Sequence, residues 1–447
     1  MRKTYKVIFF TTFLSIAFSV EQPKSINATK TWVNRNGHKI IKDFVKLLSI
    51  PNVASDTVSI RKNAEYISSL FEKRNFKMKL LELEKANPII YGELKTPGAK
   101  RTLCFYVHYD GQPVNESKWA HEPFKPILYD GPIDAGGKPI RIPKNNNDID
   151  PEWRLYARSA GDDKAPILTI LNAIDALKSS KIGITSNIKI FFEGEEEAGS
   201  TNLKAHLSNH RDILEDIDIW LFCDGPMHQS RQPQLVFGVR GVTGMEITVY
   251  GAARSLHSGH YGNWAPVPGQ IIANLISSMK DANGKVLVNG FYDTVEPLSE
   301  FERLELSKIP DVDQQLKKEL GLVYTEGEGR SINERLLLPS LTIKGLSSGN
   351  VGKKARNVIP NSATAAIGVR LVKGNDPEDM LDKIEAHIKS QGFHIVYETP
   401  DLNTRRNYSK IVRVDRRGSG YIASRTSMED PNAKSIINAE KEYIGDN

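Results

Sequence analysis

The sequence lacks the features that would assign it to several specialised classes of protein. Its only two cysteines, Cys104 and Cys223, cannot form a disulfide framework, and both lie in apolar runs that favour buried free thiols. No run of five or six like charges occurs and the net charge is only +6, so nothing favours nucleic-acid binding. After residue 20 there is no further long apolar run. The remaining composition, 39% hydrophobic and 26% charged, excludes collagen, coiled coil and wholesale disorder.

The N-terminus has the pattern of an export signal. Three basic residues precede the apolar stretch 7–20, in which Ala17 and Ser19 stand at the small-residue positions of a cleavage site. A helix of this length reaches about 21 Å, which is short of the ~30 Å hydrocarbon core. We therefore expect a signal peptide over 1–19 and export to the periplasm or the extracellular space, with an uncleaved anchor as the alternative.

Helix and strand patterns alternate through the first half of the chain. The apolar segments that indicate strands are 102–110, 187–195 and 217–225, and the helix-periodic segments include 61–75, 165–180 and 201–215. Strands separated by helices of this length predict an α/β domain whose mostly parallel sheet is covered by helices on both faces.

The pattern changes near residue 240. From there the order is β-α-β-β-α-β, which predicts a small α/β sandwich with one face of its sheet open. We expect this small domain to occupy 240–400 as an insertion. The large domain would then comprise 20–239 and an incomplete return over 401–447.

Chemistry-bearing side chains follow the predicted strands of the large domain. His108 and Asp110 point to the same side at the end of the first strand, because side chains alternate with a period of two. Four glutamates among residues 193–197 follow the second strand, and Asp224 ends the third. Open α/β sheets place their sites at this edge.

Each of these features has an ordinary structural explanation when it is taken alone. A single histidine at a strand end is more often structural, Asp162 or Asp163 would cap the following helix, and the glutamates would form a solvated acidic turn. Together, however, the carboxylates would repel one another, and a bound cation offsets that repulsion. Imidazole and carboxylates without cysteine suit zinc or manganese acting on water.

The ordered set of motifs resembles a known enzyme family. The segments are VHYDGQPV, YARSAGDDKAP, FEGEEEAGS, CDG, LHSG and NVIP-x9-R. From about residue 40 to its end the chain is similar to the two-metal exopeptidases and amidohydrolases, which include carnosine dipeptidases, carboxypeptidase G, succinyl-diaminopimelate desuccinylase, acetylornithine deacetylase and aminoacylase. The dipeptidase-like branch is the most similar.

The resemblance implies a site for two divalent metal ions, most simply zinc. Asp162 would bridge the two ions, His108 and Asp224 would complete the ligands of one, and Glu197 would serve the other. The family also implies a cis peptide between Asp162 and Asp163.

The same resemblance assigns the remaining catalytic roles in the large domain. Glu196 would be the general base that takes a proton from the metal-activated water, and Asp110 would orient His108. The reaction would be hydrolysis of an amide without a covalent intermediate.

In the small domain the resemblance implies residues that bind substrate. His257 would reach the site of a partner subunit in a homodimer, Arg370 would hold a substrate carboxylate, and Asn357 would lie nearby. A guanidinium pairs with a carboxylate through two hydrogen bonds, so Arg370 would favour substrates with a free C-terminus.

The sequence departs from the family near its end. The family takes a ligand for its second metal from a histidine near the C-terminus, and no histidine follows His394 here. We therefore expect the second metal site to be incomplete and the chain to be C-terminally truncated with impaired activity. Neither His210 nor His228 has a spacing that argues for it as the substitute. Smaller departures are Ala157, Ser159 and Ala165, which stand where relatives usually have glycine.

Three functions remain open from the sequence. The first is metal-dependent hydrolysis of dipeptides or short peptides by an exopeptidase. The second is an amidase that removes acyl groups from N-acyl amino acids with the same residues. The third, from another class, is an inactive peptide-binding or vestigial protein, because of the absent histidine.

Overall fold

The computed structural model describes residues 23–146, 149–225, 227–327, 329–416, 418 and 420–444. The predicted signal peptide, 1–19, lies outside the described residues. Among the helices that are described, none combines the length and the apolar character needed to cross a membrane. The chain divides into two units, the first made of Met1–Pro226 and Ser435–Asn447 and the second of Met227–Lys434.

The described residues of the first unit form four α-helices and eight strands before the chain enters the second unit. They are α1 (Lys24–Leu48), α2 (Thr57–Glu72), β1 (Lys77–Leu81), β2 (Ile89–Leu94), β3 (Thr102–His108), β4 (Ile127–Tyr129), β5 (Pro139–Ile140), β6 (Arg154–Tyr156), α3 (Ala165–Ser179), β7 (Asn187–Glu193), α4 (Leu203–Asn209) and β8 (Ile219–Phe222).

The main sheet of the first unit has the strand order β1-β2-β7-β3-β8. Strands β7, β3 and β8 are parallel, as the sequence predicts, whereas β1 and β2 add an antiparallel edge that the sequence analysis does not anticipate. His108 is paired with Glu193 at the carboxyl ends of β3 and β7. The segments that follow these strands therefore begin at the same edge of the sheet.

Both faces of this sheet are covered. Asp56 caps the N-terminus of α2, where its side chain accepts a hydrogen bond from the Ser59 N–H. The helix buries Ile67 and Phe71 on one face. Side chains of α3 join this core, together with Ile190 and Phe192 of β7. The opposite face buries alternate strand residues, among them Tyr91, Tyr106 and Phe191. The predicted α/β architecture is confirmed.

In the second unit, the residues that the structure describes form nine further strands and seven α-helices. They are β9 (Gly238–Val239), β10 (Gly241–Tyr250), β11 (Leu256–His257), α5 (Ser258–Tyr261), α6 (Pro268–Ser278), α7 (Glu300–Leu306), α8 (Asp313–Leu320), α9 (Ile332–Leu336), β12 (Ser340–Ser347), β13 (Val358–Ile359), β14 (Ser362–Leu371), α10 (Pro377–Ser390), β15 (His394–Val396), α11 (Leu402–Asn407), β16 (Ile411–Arg416) and β17 (Ser424–Arg425). A last helix, α12 (Pro431–Ile444), contains the boundary at residue 435.

The main sheet of the second unit has the order β12-β14-β10-β16-β15. Odd-numbered residues of β10 and β14, such as Ile247 and Ile367, are buried in one core with Ile272 of α6 and Ile384 of α10. The even-numbered residues lie on the other face of the sheet, because side chains alternate along a strand. We call this second face the open face.

The division of the chain differs from the predicted one after residue 400. Strand β16 pairs with β10 and β15, so residues predicted to return to the large domain belong to the second unit. The reason is hydrophobic burial, since Val412 and Val414 are fully or almost fully buried in the second core. The first unit resumes only at Ser435.

Candidate active site

His108 is the centre of a cluster of carboxylates at the carboxyl edge of the parallel strands. Its side chain is only 1% exposed, and Nε2 lies 2.7 Å from Oδ1 of Asp162. The same nitrogen is 3.9 Å from Glu196 Oε2 and 3.9 Å from Asp224 Oδ1, while Nδ1 is 3.4 Å from Asp110 Oδ1. The separate segments that the sequence predicts to converge are therefore within a few ångströms of one imidazole.

Asp110 joins the end of β3 to the glutamate segment. Its carboxylate is fully buried and accepts hydrogen bonds from the backbone N–H groups of Glu196, at 3.2 Å, and Glu197, at 3.1 Å. These two residues begin a 3-10 turn, Glu196–Ala198, that directly follows β7 and its Gly194-Glu195 link. A single buried carboxylate therefore faces His108 and also holds the turn that carries the predicted base and the predicted metal ligand.

The Asp162–Asp163 segment has the cis peptide that the family resemblance implies. Asp163 points inward, where its Oδ2 accepts a hydrogen bond from the His108 backbone N–H at 3.2 Å. Asp162 points outward, with 69% of its side chain exposed, toward His108 Nε2. Asp163 thus contacts the backbone of His108, and Asp162 contacts its ring.

Lys164 fixes the start of α3 behind this segment. Its side chain is completely buried, and Nζ donates to the carbonyl oxygens of Leu47, at 3.2 Å, and Ile50, at 3.0 Å. Burial lowers the pKa of Lys164 to about 7. The two carbonyls lie at and just after the end of α1, so this contact ties the aspartate segment to the first helix.

Ser159 is one of the positions at which the family resemblance implies glycine. Its φ is 60°, in the left-handed region, and its hydroxyl accepts a hydrogen bond from Nδ2 of the buried Asn52 at 3.0 Å. The same amide nitrogen donates to the Tyr109 carbonyl at 2.8 Å. The serine therefore keeps the glycine-like backbone and adds a polar contact to the end of β3.

The cluster offers ligand atoms suited to a divalent metal. His108, Asp163 and Asp224 form one group, and His108, Asp162 and Glu197 form a second, with all ligand atoms of a group within 4.8 Å of one another. One imidazole nitrogen with carboxylate oxygens is a ligand set that zinc accepts. An imidazole nitrogen binds one ion. If His108 binds the same ion as Asp163 and Asp224, the described residues of the two groups leave Asp162 and Glu197 as ligands for a second ion. Asp163 is a candidate ligand that the sequence analysis did not assign.

The electrostatics of the cluster favour a bound cation. Burial raises the pKa of Asp163 to about 8, and burial also raises the pKa values of Glu196 and Asp224. Burial alone would lower the pKa of His108, but Asp110, Asp163 and Asp224 together raise it to about 10. Burial and mutual repulsion therefore make it unfavourable for all of these carboxylates to be ionised at once. A divalent cation would offset that repulsion.

Gln112 contacts the carboxylate cluster and was not predicted from the sequence. Its Nε2 donates to Glu197 Oε2 at 2.7 Å and to the Glu197 carbonyl at 3.3 Å. Gln112 lies two residues after Asp110 in an extended segment, a spacing that places both side chains on one side. The two-residue spacing from Asp110 is the sign of this contact in the sequence, and it is weak evidence when the fold is unknown.

The predicted substrate-binding residues lie in the second unit. His257 is exposed in β11, which pairs with β13 so that His257 is opposite Val358, and the Ser258 N–H donates to the Asn357 carbonyl at 3.0 Å. The structure thus brings His257 and Asn357 together on one short ribbon. Arg370 is exposed at the far end of β14. The roles of all three residues stay predictions.

Two family models match the chain. The one described as "Peptidase family M20/M25/M40" matches residues 104–285, and the one described as "Peptidase dimerisation domain" matches residues 237–395. Together they extend from β3 to β15.

Several similar proteins are named as dipeptidases. The Cys-Gly metallodipeptidase dug1 of Schizosaccharomyces pombe is 25% identical over 373 residues, which are 80% of this chain and 74% of that protein. The Beta-Ala-His dipeptidase of Mus musculus is 27% identical over 310 residues, which are 68% of this chain and 58% of that protein.

Solved structures have the same fold. An M20 family metallo-carboxypeptidase, Sso-CP2 from Sulfolobus solfataricus, has a TM-score of 0.66 and 28% identity, with 90% of this chain and 83% of that chain covered. Human carnosine dipeptidase 1 has a TM-score of 0.68 over 95% of this chain and 86% of that chain; its 21% identity supports the fold alone.

Proposed function

The chain belongs to the M20/M25/M40 peptidase family, and from this premise we propose that it hydrolyses the peptide bond of dipeptides or short peptides by metal-activated water. The observation that carries the proposal is the convergence of His108 with Asp162, Asp224 and Glu196 at one sheet edge. Relatives named for dipeptide hydrolysis and a metallo-carboxypeptidase of the same fold support this substrate class.

The residues of the cluster have separate tasks in this proposal. His108, Asp224 and Glu197, with Asp162 or Asp163, would hold divalent cations, most simply two zinc ions, the second with an incomplete set of ligands. Such cations lower the pKa of water and polarise a carbonyl when they are bound. Asp110 orients the His108 ring and keeps the Glu196 backbone in place.

Glu196 is the proposed general base. Its carboxylate is part-exposed and lies 3.9 Å from His108 Nε2, so it can reach both solvent and the metal ligands. Burial raises its pKa, which makes it a better proton acceptor than an ordinary glutamate once it is ionised. Glu196 would take a proton from water and pass it to the leaving amine.

We also propose that the protein is a homodimer. The match to the dimerisation domain supports this assembly, and the family resemblance gives His257 its role only in a partner subunit's site. Sedimentation of the full chain is expected to give twice the mass of one chain, and a stable monomer at micromolar concentration would contradict the dimer.

A substrate panel tests the proposed reaction. The metal-free chain is reloaded with zinc or manganese and assayed on dipeptides, on tripeptides and on N-acyl amino acids. We expect hydrolysis of the dipeptides, with release of free amino acids, and loss of that activity on chelation. Faster hydrolysis of the N-acyl amino acids would favour the amidase instead. Peptide binding without any turnover would favour a binding protein.

A further inference from the structure

His206 in α4 and His210, which caps the C-terminus of that helix, lie one turn apart, and neither belongs to the groups of ligand atoms around His108. The His210 N–H donates to the His206 carbonyl at 3.1 Å, so the helical turn between the two residues is complete. Residues four apart lie on the same face of a helix. Their ring centroids are 6.3 Å apart, and the ring planes are inclined by only 25°. The two imidazoles are therefore close neighbours on one face of α4.

The ring nitrogens of this pair are buried without hydrogen bonds. His206 is only 1% exposed, and neither its Nδ1 nor its Nε2 has a partner among the residues that the structure describes. Nε2 of His210 is likewise buried and without a partner in the described part of the chain. A neutral imidazole has one N–H donor and one acceptor nitrogen, and it is unfavourable to leave both unpaired in the interior. A ligand that the chain itself does not supply would satisfy these nitrogens.

The surroundings of His206 keep its ring neutral and are acidic. Burial lowers the pKa of His206 below the ordinary 6.5, although the Asn87 backbone and the carboxylates of Glu195 and Glu82 act in the opposite direction. Neither ring nitrogen forms a hydrogen bond with Asn87. The ring is therefore neutral at pH 7, and this is the form in which an imidazole binds a metal ion. The nearby carboxylates would offset part of the charge of a bound cation.

A divalent transition-metal ion fits this arrangement. Two histidines four residues apart on one helical face have the spacing with which helices bind zinc. Zinc–nitrogen bonds of about 2.0–2.1 Å place the centroids of two imidazoles on one ion about 5–6 Å apart, close to the observed 6.3 Å. Imidazole suits zinc, copper and nickel, whereas magnesium and calcium prefer oxygen ligands. Among the described residues, no third histidine, cysteine or carboxylate forms a ligand group with this pair, so water would occupy the remaining positions.

We propose that His206 and His210 form a non-catalytic binding site for one divalent transition-metal ion, most simply zinc. One nitrogen of each ring binds the ion, which thereby joins the two ends of the last turn of α4. A helix of seven residues is marginal on its own, because few hydrogen bonds offset the cost of starting it. The bound ion stabilises α4 in the way that a cross-link between its side chains would.

The start of α4 is connected to the segment that carries the proposed base. Asn202, the residue before the helix, donates from Nδ2 to Glu195 Oε2 at 2.8 Å. Glu195 Oε1 accepts a hydrogen bond from the Asn87 N–H at 2.7 Å, and Glu196 is the next residue along the chain. An ordered α4 thus helps to keep the start of the catalytic turn in place. The ion at this site therefore supports the fold and takes no part in the reaction.

Counting the zinc ions bound by the full chain tests this site. After equilibrium dialysis against zinc, His210→Gln should retain about one ion per chain fewer than the unmodified protein, because it removes one of two ligands. His206→Phe keeps a ring of similar size without nitrogens and should show the same loss. His260→Gln is the matched control, since the exposed rings of His257 and His260 are also close, at 4.7 Å, and it should bind zinc as the unmodified protein does. Equal zinc contents in His210→Gln and the unmodified protein would overturn the proposal.

Copper(II) gives a second readout, which identifies the ligands. The described cluster around His108 contains one imidazole, whereas a copper ion bound by His206 and His210 has two. Pulsed EPR of the full chain should detect two imidazoles on one ion in the unmodified protein and in His260→Gln, but not in His210→Gln. A two-imidazole signal that survives in His210→Gln would show that the proposal is wrong. Neither measurement uses a substrate, so both test the site whether or not the chain hydrolyses dipeptides.

Discussion

The fully buried carboxylate of Asp110 accepts a hydrogen bond from the backbone N–H of Glu196 at 3.2 Å. The same carboxylate lies 3.4 Å from the ring of His108 and holds the N–H of Glu197 at 3.1 Å. One side chain therefore connects the predicted metal ligands to the predicted base. Substitution of Asp110 should therefore impair both metal binding and catalysis.

Asp110→Ala is expected to weaken zinc binding about 10- to 100-fold, because an unsupported metal ligand loses its orientation. The turnover number should fall as well, since the Glu196 turn loses two hydrogen bonds. Zinc affinity is measured by competition with a chromogenic chelator. Asp134→Asn, at an exposed position of the same unit, should leave the affinity unchanged. Normal zinc affinity in Asp110→Ala would contradict the connecting role.

Glu196→Gln should abolish turnover, by about 100-fold or more, while the zinc content stays near normal. The amide has the same size but cannot accept the proton from water. Metal analysis and dipeptide kinetics on the same preparation check both halves of this prediction. Glu197→Gln is the matched variant, and it should lose zinc because it removes a ligand. A near-normal rate in Glu196→Gln would mean that the base is another residue.

Gln112→Leu should lower zinc affinity by about 10-fold with little change in thermal stability. The amide donates to Glu197 Oε2 at 2.7 Å, and its loss leaves that carboxylate free to rotate away from the site. The absorption spectrum of the cobalt-substituted protein should also change, because it reports ligand geometry. An unchanged spectrum together with an unchanged affinity would show that Gln112 does not position Glu197.

The buried His206 should make the stability of the protein depend on pH. It is 1% exposed in α4, and burial lowers its pKa below the ordinary 6.5. The unfolded chain therefore binds more protons than the folded chain below pH 6.5, so the free energy of unfolding falls as pH drops, by at most about 1.4 kcal/mol per pH unit for this group.

Urea titrations at pH 7 and pH 5.5 measure this effect. His206→Leu, which cannot take up a proton, should lose less stability between the two pH values than the unmodified chain. The exposed His260→Gln serves as the control and should keep the original dependence. If His206→Leu and the unmodified chain lose the same stability, His206 is not the group that titrates.

The parts of the fold that depend on local patterns could be predicted from the sequence. The apolar runs of β3 and β7 and the polar residues that end them placed His108, Asp110 and Glu196 at one edge. The family resemblance supplied Asp162 and its cis peptide, which spacing alone does not fix. The predicted strands β3 and β7 were confirmed because hydrophobic periodicity is a property of the chain itself.

The missed parts depend on pairings between distant segments. Helix α1 was not predicted, although its apolar residues recur on one face; most of its residues are exposed or only partly buried, and Ala28, Leu47 and Leu48 are the buried ones. The membership of β16 in the second sheet depends on its partner β10, which lies some 165 residues earlier. Contacts such as Gln112 with Glu197 arise only when the edge is assembled.

Zinc-edge anomalous diffraction from crystals of the zinc-loaded chain tests the central claim most directly. The account predicts an ion about 2.0–2.2 Å from His108 Nε2, with carboxylate oxygens of Asp224 and of the Asp162–Asp163 pair completing its ligands. Zinc bound elsewhere, with His108 more than ~4 Å from any ion, would contradict the assignment of this cluster as the active site.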